Sequence, residues 1–347
     1  MRWNDVYVDA AAVRLGRRES VRQAVAEGRY DAAECAADDL LSVSVVDDTS
    51  HADLAVEAAR RALSRSRVAH EDFTLVAHVT SSGFQGLDHW SPAAYVQART
   101  VGGRATALQL QQASNGGLGA IDLVAAHVAA RPAPGAALIT TSDKYHLPMF
   151  DRFRSDKGGP RGDGATALVL TRGSGVARLL SSVVISDTTH EGAYRGTRPW
   201  ATLSGEHGWP VDMRQRLREY LSTGVSVPEV ASSIAAGQRA AMEEAMGEAG
   251  VRLQDVARFV YPVAGRSVVD WDAVKRDFGV DITQTTWEYG RELGHLGAGD
   301  QIAGLAHLLE TKAVGPGDKV VLSGLGQGFT FGCAVLEVVA EPEWPEG

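Results

Sequence analysis

The chain has 347 residues, 44% of them hydrophobic and 22% charged, with a formal net charge of −9. This length can bury a large core, and the lack of a long basic run argues against a nucleic-acid-binding protein. Cys35 and Cys333 are the only cysteines, which argues against a disulfide framework and a cysteine-based metal site. The sequence also has no apolar stretch long enough to span a bilayer and no signal-peptide pattern at its start. We therefore expect a reduced, cytoplasmic protein without a metal site or membrane partner.

Helical and strand-like patterns alternate along the chain, which is typical of an α/β fold. The spacing of Leu54, Ala58 and Leu63 predicts a helix over 52–66. At residues 108–130 a strand-like run passes through a Ser-Asn-Gly-Gly turn into an amphipathic helix. Apolar runs predict further strands, which are 73–82, 134–143 and 162–173.

These pieces recur in the same order in the second half of the chain. The pattern predicts two similar halves, 1–174 and 175–347, whose helix N-termini converge on one cleft. Residues near 195–246 have no evident counterpart, so we expect an insertion that covers or borders the site. The matched pairs are 72–82 with 256–267, 114–128 with 295–309, 134–143 with 316–325, and 162–173 with 327–338.

Ser114 stands in the turn between a strand and a helix. A hydroxyl there would gain the positive end of the helix dipole, and free amide N–H groups beside it would stabilise an oxyanion. A serine at this position is also a common helix cap. The turn alone leaves both interpretations open, since a nucleophilic serine needs a base.

Two histidines are candidate bases. His295 precedes the second-half helix, where the repeat makes it the counterpart of Ser114, and Asp300 is either a cap of that helix or the acid that orients His295. His190 follows a strand and precedes a glycine turn, so it would also face a site. The glycine-rich stretch 322–332 lacks the lysine of a P-loop and is better suited to presenting amide groups to an oxyanion.

A basic stretch at 143–164 is either a solvated loop or a surface for the phosphates of coenzyme A or an acidic carrier protein. Its cations are Lys144, Arg152, Arg154, Lys157 and Arg161.

The sequence resembles the thiolase fold, and more narrowly the third class of β-ketoacyl-acyl-carrier-protein synthases. "GDGATALVL" and "GLGQGFTFG" are similar to two glycine motifs of that family. The resemblance implies two duplicated α-β-α halves in a five-layered α-β-α-β-α architecture, and a homodimer. Those synthases use a Cys-His-Asn set, whereas this chain has Ser114, Pro262 and His295 at the matching positions.

These departures resemble a smaller branch, the ketosynthase-like acyltransferases of antibiotic and polyketide biosynthesis. The resemblance implies an acyl-Ser114 intermediate with His295 as base, or a histidine nearer His190, and oxyanion amides at Ser114 and Gln327. It implies no cofactor beyond the substrate itself, an acyl thioester of coenzyme A or of acyl carrier protein phosphopantetheine.

We therefore hypothesise an acyltransferase that passes an acyl group to a sugar hydroxyl, an amine or a carrier thiol without forming a carbon–carbon bond. One alternative is a starter-unit ketosynthase that performs decarboxylative condensation. Another is a catalytically silent partner that binds acyl carriers, in which Ser114 only caps its helix.

Overall fold

The computed structural model describes residues 1–133, 135–203 and 205–344. Pro134, the first residue of the predicted strand 134–143, and Ser204, within the predicted insertion, lie outside these ranges, as do the last three residues of the second half. No helix within the described ranges is long and apolar enough to cross a membrane.

Strands and helices alternate as the sequence pattern predicts. The strands are β1 (Val6–Leu15), β2 (Arg17–Ser20), β3 (Ser42–Val45), β4 (Phe73–Val79), β5 (Thr106–Leu110), β6 (Ala136–Asp143), β7 (Gly164–Arg172), β8 (Ala177–Ser186), β9 (Val256–Val260), β10 (Lys319–Gly326) and β11 (Thr330–Val338). The helices are α1 (Val21–Ala26), α2 (Ala32–Asp38), α3 (His51–Arg65), α4 (Pro92–Arg99), α5 (Gly116–Ala129), α6 (Gly192–Arg195), α7 (Met213–Leu221), α8 (Val227–Ala249), α9 (Trp271–Phe278), α10 (Trp287–Gly290) and α11 (Asp300–Glu310).

Nine strands form one sheet in the order β5-β4-β6-β7-β1-β8-β11-β10-β9. The order β4-β6-β7-β1 of the first half is repeated as β9-β10-β11-β8 in the second. The corresponding neighbours are parallel or antiparallel in the same way. Only Tyr7 with Arg178 and Val8 with Ala177 pair across the junction of β1 and β8. The strand topology therefore repeats, while the domain division at residue 174 stays a prediction.

The helices that cover the faces of the two halves of the sheet define five layers. Helices α5 and α11 contact strands of both halves. Small and aliphatic side chains surround both helices, which therefore form the centre of the core. Helices α3 and α4 cover the outer face of the first half, and α8 covers the outer face of the second. The layers thus run helix, sheet, helix, sheet, helix.

The predicted insertion near 195–246 is shorter in the structure. Helix α8 packs on β8 and β11 as α3 packs on β1 and β7, so it belongs to the outer layer and not to an insertion. The remaining part, between β8 and α8, occupies the same place in its half as the segment between β1 and α3 does in the first half. The two segments pack on each other, with Arg214 of α7 paired to Glu34 of α2 at 2.6 Å.

Glycines let the two central helices meet at their N-termini. An added Cβ at Gly116 would lie 2.6 Å from Val79 Cγ1, and one at Gly117 would lie 2.5 Å from the Ala298 carbonyl oxygen. Real carbon–oxygen contacts do not become this short, so only glycine allows α5 to pack against the turn that precedes α11.

We predict that Gly117→Ala lowers the free energy of unfolding by about 1–3 kcal/mol, because the methyl group must displace backbone. Gly247→Ala is the matched control. It lies within helix α8 with no atom within 4 Å of its added Cβ, so better helix propensity should give zero to about 1 kcal/mol of stabilisation. Urea titration monitored by circular dichroism measures both, and equal effects would contradict the packing argument.

Candidate active site

The turn that carries Ser114 is a single 3-10 turn, Ala113–Asn115, between β5 and α5. Ala113 has φ of +47°, a left-handed conformation that a non-glycine residue adopts at a cost of about 1–3 kcal/mol. Asn115 is fully buried and its amide donates to Gln112 Oε1 at 2.9 Å, which fixes the turn. Ser114 is therefore held, half-buried, just ahead of the α5 N-terminus.

His295 reaches this hydroxyl from the second half of the chain. Its Nε2 lies 2.7 Å from Ser114 Oγ. Its backbone is fixed on both sides, because its N–H donates to the Pro160 carbonyl at 2.9 Å and its carbonyl accepts from the Gly162 N–H at 3.0 Å. The structure thus brings together the two residues that the repeat made equivalent.

Asp300 completes the hydrogen-bonded chain. Its Oδ2 lies 2.5 Å from His295 Nδ1 and also accepts from the Val263 N–H at 2.7 Å, while Oδ1 accepts from the Leu296 N–H at 2.8 Å. Burial raises the pKa of Asp300 to about 7, although these two amides and the charge of Arg161 act in the opposite direction. The side chain makes backbone bonds near the start of α11 and also contacts the histidine.

The partners define the tautomer of the ring. A carboxylate at Nδ1 favours a proton there, which leaves Nε2 to accept the proton of Ser114. This is the arrangement that raises the nucleophilicity of a serine in acyl transfer.

The hairpin turn between β10 and β11 packs on the Ser114 turn. An added Cβ at Gly326 would lie 2.6 Å from the Gln112 carbonyl oxygen and 2.9 Å from Asn115 Cβ. Within the described ranges, neither the Ser114 N–H nor the Gln327 N–H donates to another group. Both are available for the oxyanion role that the resemblance implies.

A second buried carboxylate supports the same junction. Asp143 accepts from the amides of Ser81, Ser82 and Ala298, so it ties the end of β4 to the turn that precedes α11. Burial raises the pKa of Asp143 to about 6, although the amides of Ala298, Ser81 and Ser82 act in the opposite direction.

His190 is in a different environment. Its Nδ1 lies 2.9 Å from the Tyr220 hydroxyl. No hydrogen bond joins it to Ser114 or His295 in the described part of the chain. Pro262 follows β9, and the next residue, Val263, supplies the amide that binds Asp300.

Most cations of the basic stretch bind carbonyl or carboxylate groups of the same chain. Lys144 donates to the Thr49 carbonyl, Arg152 pairs with Asp163, Arg154 donates to the Gly28 carbonyl and Arg161 pairs with Asp156. The stretch therefore does not form the continuous positive surface that one reading of the sequence suggested.

Val263 was not singled out from the sequence, and Arg161 was included only as one cation of the basic stretch. The amide of Val263 is invisible to side-chain patterns, because any residue but proline supplies it. Arg161 had a weak signal, since it directly precedes the GDGA motif.

The chain is similar in sequence to known proteins. Residues 246–338 match the family described as 3-oxoacyl-[acyl-carrier-protein (ACP)] synthase III C terminal. The β-ketoacyl-[acyl-carrier-protein] synthase III of Chelativorans sp. (strain BNC1) is 24% identical over 306 residues, covering 84% of this chain and 85% of its own.

Solved structures agree with this match. ChlB3, an acyltransferase, is 35% identical and has a TM-score of 0.89, covering 99% of this chain and 100% of its own. The 3-oxoacyl-(acyl carrier protein) synthase III, FabH, of Pseudomonas aeruginosa PAO1 is 22% identical and has a TM-score of 0.77, with 99% of each chain covered. The thiolase-like fold expected from the sequence is confirmed.

We predict that Ser114 reacts with a fluorophosphonate, and that the rate depends on pH. With the pKa of Asp300 at about 7, the His295–Asp300 pair gains a proton below that pH and no longer accepts one from Ser114. The rate should be constant above about pH 7.5 and fall about tenfold per unit below about pH 7. Intact mass spectrometry measures it; Ser114→Ala should remain unlabelled, and a flat profile would contradict the assignment.

Proposed function

Because this chain belongs to the β-ketoacyl-acyl-carrier-protein synthase III-like family of the thiolase fold, we propose that it transfers an acyl group through an ester on Ser114. The observation that carries the proposal is the hydrogen-bonded chain Ser114–His295–Asp300, with 2.7 Å and 2.5 Å between successive partners. A serine with a base and an orienting acid suits acyl transfer.

In the first half-reaction, His295 Nε2 takes the proton of Ser114 as Oγ attacks the thioester carbonyl carbon. The oxyanion is stabilised by the amides of Ser114 and Gln327. The carbon–sulfur bond then breaks, and His295 returns the proton to the departing thiolate. The acyl group is now an oxygen ester of Ser114, and the ionised Asp300 has stabilised the transient imidazolium.

In the second half-reaction, the acceptor attacks this ester. His295 removes the proton from the acceptor hydroxyl, amine or thiol, and a second tetrahedral intermediate forms in the same oxyanion site. Collapse breaks the bond to Ser114 Oγ, which recovers its proton from His295. The product is an ester, amide or thioester, and no carbon–carbon bond is made.

The donor is an acyl thioester of coenzyme A or of an acyl carrier protein, in keeping with the synthase III relatives. The similarity to ChlB3, an acyltransferase, supports acyl transfer itself. The acceptor that we propose is a small molecule or a carrier-bound group in natural-product biosynthesis, and the proposed location is the cytoplasm. Decarboxylative condensation is disfavoured, because Pro262 has no imidazole and His295 is engaged by Ser114 and Asp300. A silent carrier-binding partner would have no use for the base and the acid.

We further propose that the chain is a homodimer. Strand β5 lies at one edge of the nine-stranded sheet, and its backbone has a partner only on the β4 side in the described residues. Thr106 and Gln109 on this strand are exposed. An exposed edge of this kind is a template for pairing with a second chain.

We predict a particle of twice the 36.8 kDa chain mass in multi-angle light scattering. The double variant Thr106→Lys, Gln109→Lys should raise the dissociation constant about tenfold or more, because like charges then oppose across the joined edges. Thr223→Lys, on the turn after α7, is the control and should leave the mass unchanged. A monomeric wild-type protein would contradict the dimer.

We predict that a panel of acyl thioesters gives a stable acyl adduct on the wild-type protein but not on Ser114→Ala, as measured by intact mass spectrometry. His295→Gln should slow acylation by about a thousandfold or more and Asp300→Asn by about a hundredfold or more, since base and tautomer are lost.

His190→Gln is the matched histidine control and should stay within about threefold of the wild-type rate. Release of carbon dioxide from malonyl thioesters would instead favour the ketosynthase alternative. Unimpaired transfer by Ser114→Ala would rule out the ester mechanism.

A further inference from the structure

One buried cation lies next to this site. The Arg161 side chain is only 7% exposed, and its guanidinium lies over the rings of Tyr145 and Phe150 at 5.7 and 5.9 Å. Nη2 pairs with Asp156 Oδ2 at 2.5 Å, whereas the buried Nε has no hydrogen-bond partner within the described ranges. A buried guanidinium with an unpaired nitrogen costs free energy, so its presence needs another explanation.

The backbone places this cation beside the proposed triad. Arg161 and His295 form a bridge in which the Pro160 carbonyl and the Gly162 N–H bind the His295 main chain. The positive charge of Arg161 acts on Asp300 and favours its ionised form. Desolvation disfavours the charge of this carboxylate, and besides Arg161 it is stabilised by two backbone amides and by its hydrogen bond with His295.

We propose that Arg161 is a positioning residue that holds Asp300 as a carboxylate, and that Asp156 limits how strongly it does so. Asp156 neutralises part of the Arg161 charge through their ion pair. The two residues thereby set the pH above which His295 accepts the Ser114 proton. The inference rests on the proposed function of the triad and adds a means of tuning it.

The other groups around Asp300 do not offer the same control. His295 on the same loop is its direct partner, and Tyr145 and Tyr289 stay neutral because burial raises the pKa of both phenols. Asp143 lies near the same turn and binds the Ala298 amide, while Tyr194 faces Arg161 and is also kept neutral by burial. Arg161 is the cation that acts on Asp300 among the described residues.

The experiment follows fluorophosphonate labelling of Ser114 from about pH 5.5 to 9 in three variants of the full chain. Arg161→Gln should move the midpoint of the profile up by about one unit, because Asp300 loses its stabilising cation. Asp156→Asn should move the midpoint down by about half a unit, because the charge of Arg161 is no longer offset. The rate at high pH should change little in either.

Arg154→Gln removes an exposed arginine from the same loop and is the matched control, expected to leave the midpoint within about 0.2 units. Opposite shifts for the two test variants would support the proposal. Unchanged midpoints, or shifts in one common direction, would overturn it and leave Arg161 a structural residue.

If Arg161→Gln does not fold, Asp156→Asn still decides the proposal by the direction of its shift. Failure of every acyl donor to modify Ser114, with opposite shifts retained, would count against the transferase function alone.

Discussion

The approach of two helix N-termini is the constraint on which the site depends. Helices α5 and α11 fill the core between the two sheet layers, and their starting turns touch because Gly117 presents no side chain to the Ala298 carbonyl. Ser114 and His295 come from these two turns, so their 2.7 Å separation is set by helix packing and not by a local motif. Any side chain that separated the helices would separate the reacting atoms.

The two buried carboxylates at this junction have different partners. Asp143 is surrounded by backbone donors from three residues and serves to lock one half of the chain against the other. Asp300 accepts hydrogen bonds from two backbone N–H groups and also binds His295, so one of its partners is a side chain that can change its charge. Because both are desolvated, the donors that face each carboxylate govern its protonation, and at Asp300 the charge of Arg161 acts in the same direction as the amides.

Much of the architecture was predictable because the same sequence pattern occurs once in each half of the chain. The strand at 162–173 is observed as Gly164–Arg172, and the helix after Ser114 runs to Ala129, where the apolar spacing ends. The Ser114–His295 encounter followed from equivalent positions in the two halves. Asp300, left open as cap or orienting acid, makes contacts of both kinds, since its two oxygens face different donors.

Other parts could not be predicted, for physical reasons. Most of helix α8 was assigned to an insertion because 195–246 has no evident counterpart in the first-half sequence, although α8 and α3 each cover an outer face of the sheet. The basic stretch was left open between a solvated loop and a binding surface, because a sequence does not show that its cations find carbonyl and carboxylate partners within the chain. The Val263 amide carries no side-chain signal at all.

The sequence distance between nucleophile and base has a consequence for synthesis of the protein. Ser114 and His295 are separated by 181 residues, and each is fixed by contacts to the other half. A growing chain therefore carries an exposed serine without its base until the second half has emerged and docked. In the mechanism that we propose, an unfinished polypeptide on the ribosome would be inert toward the cell's thioesters, and reactivity would begin only when both halves have folded together.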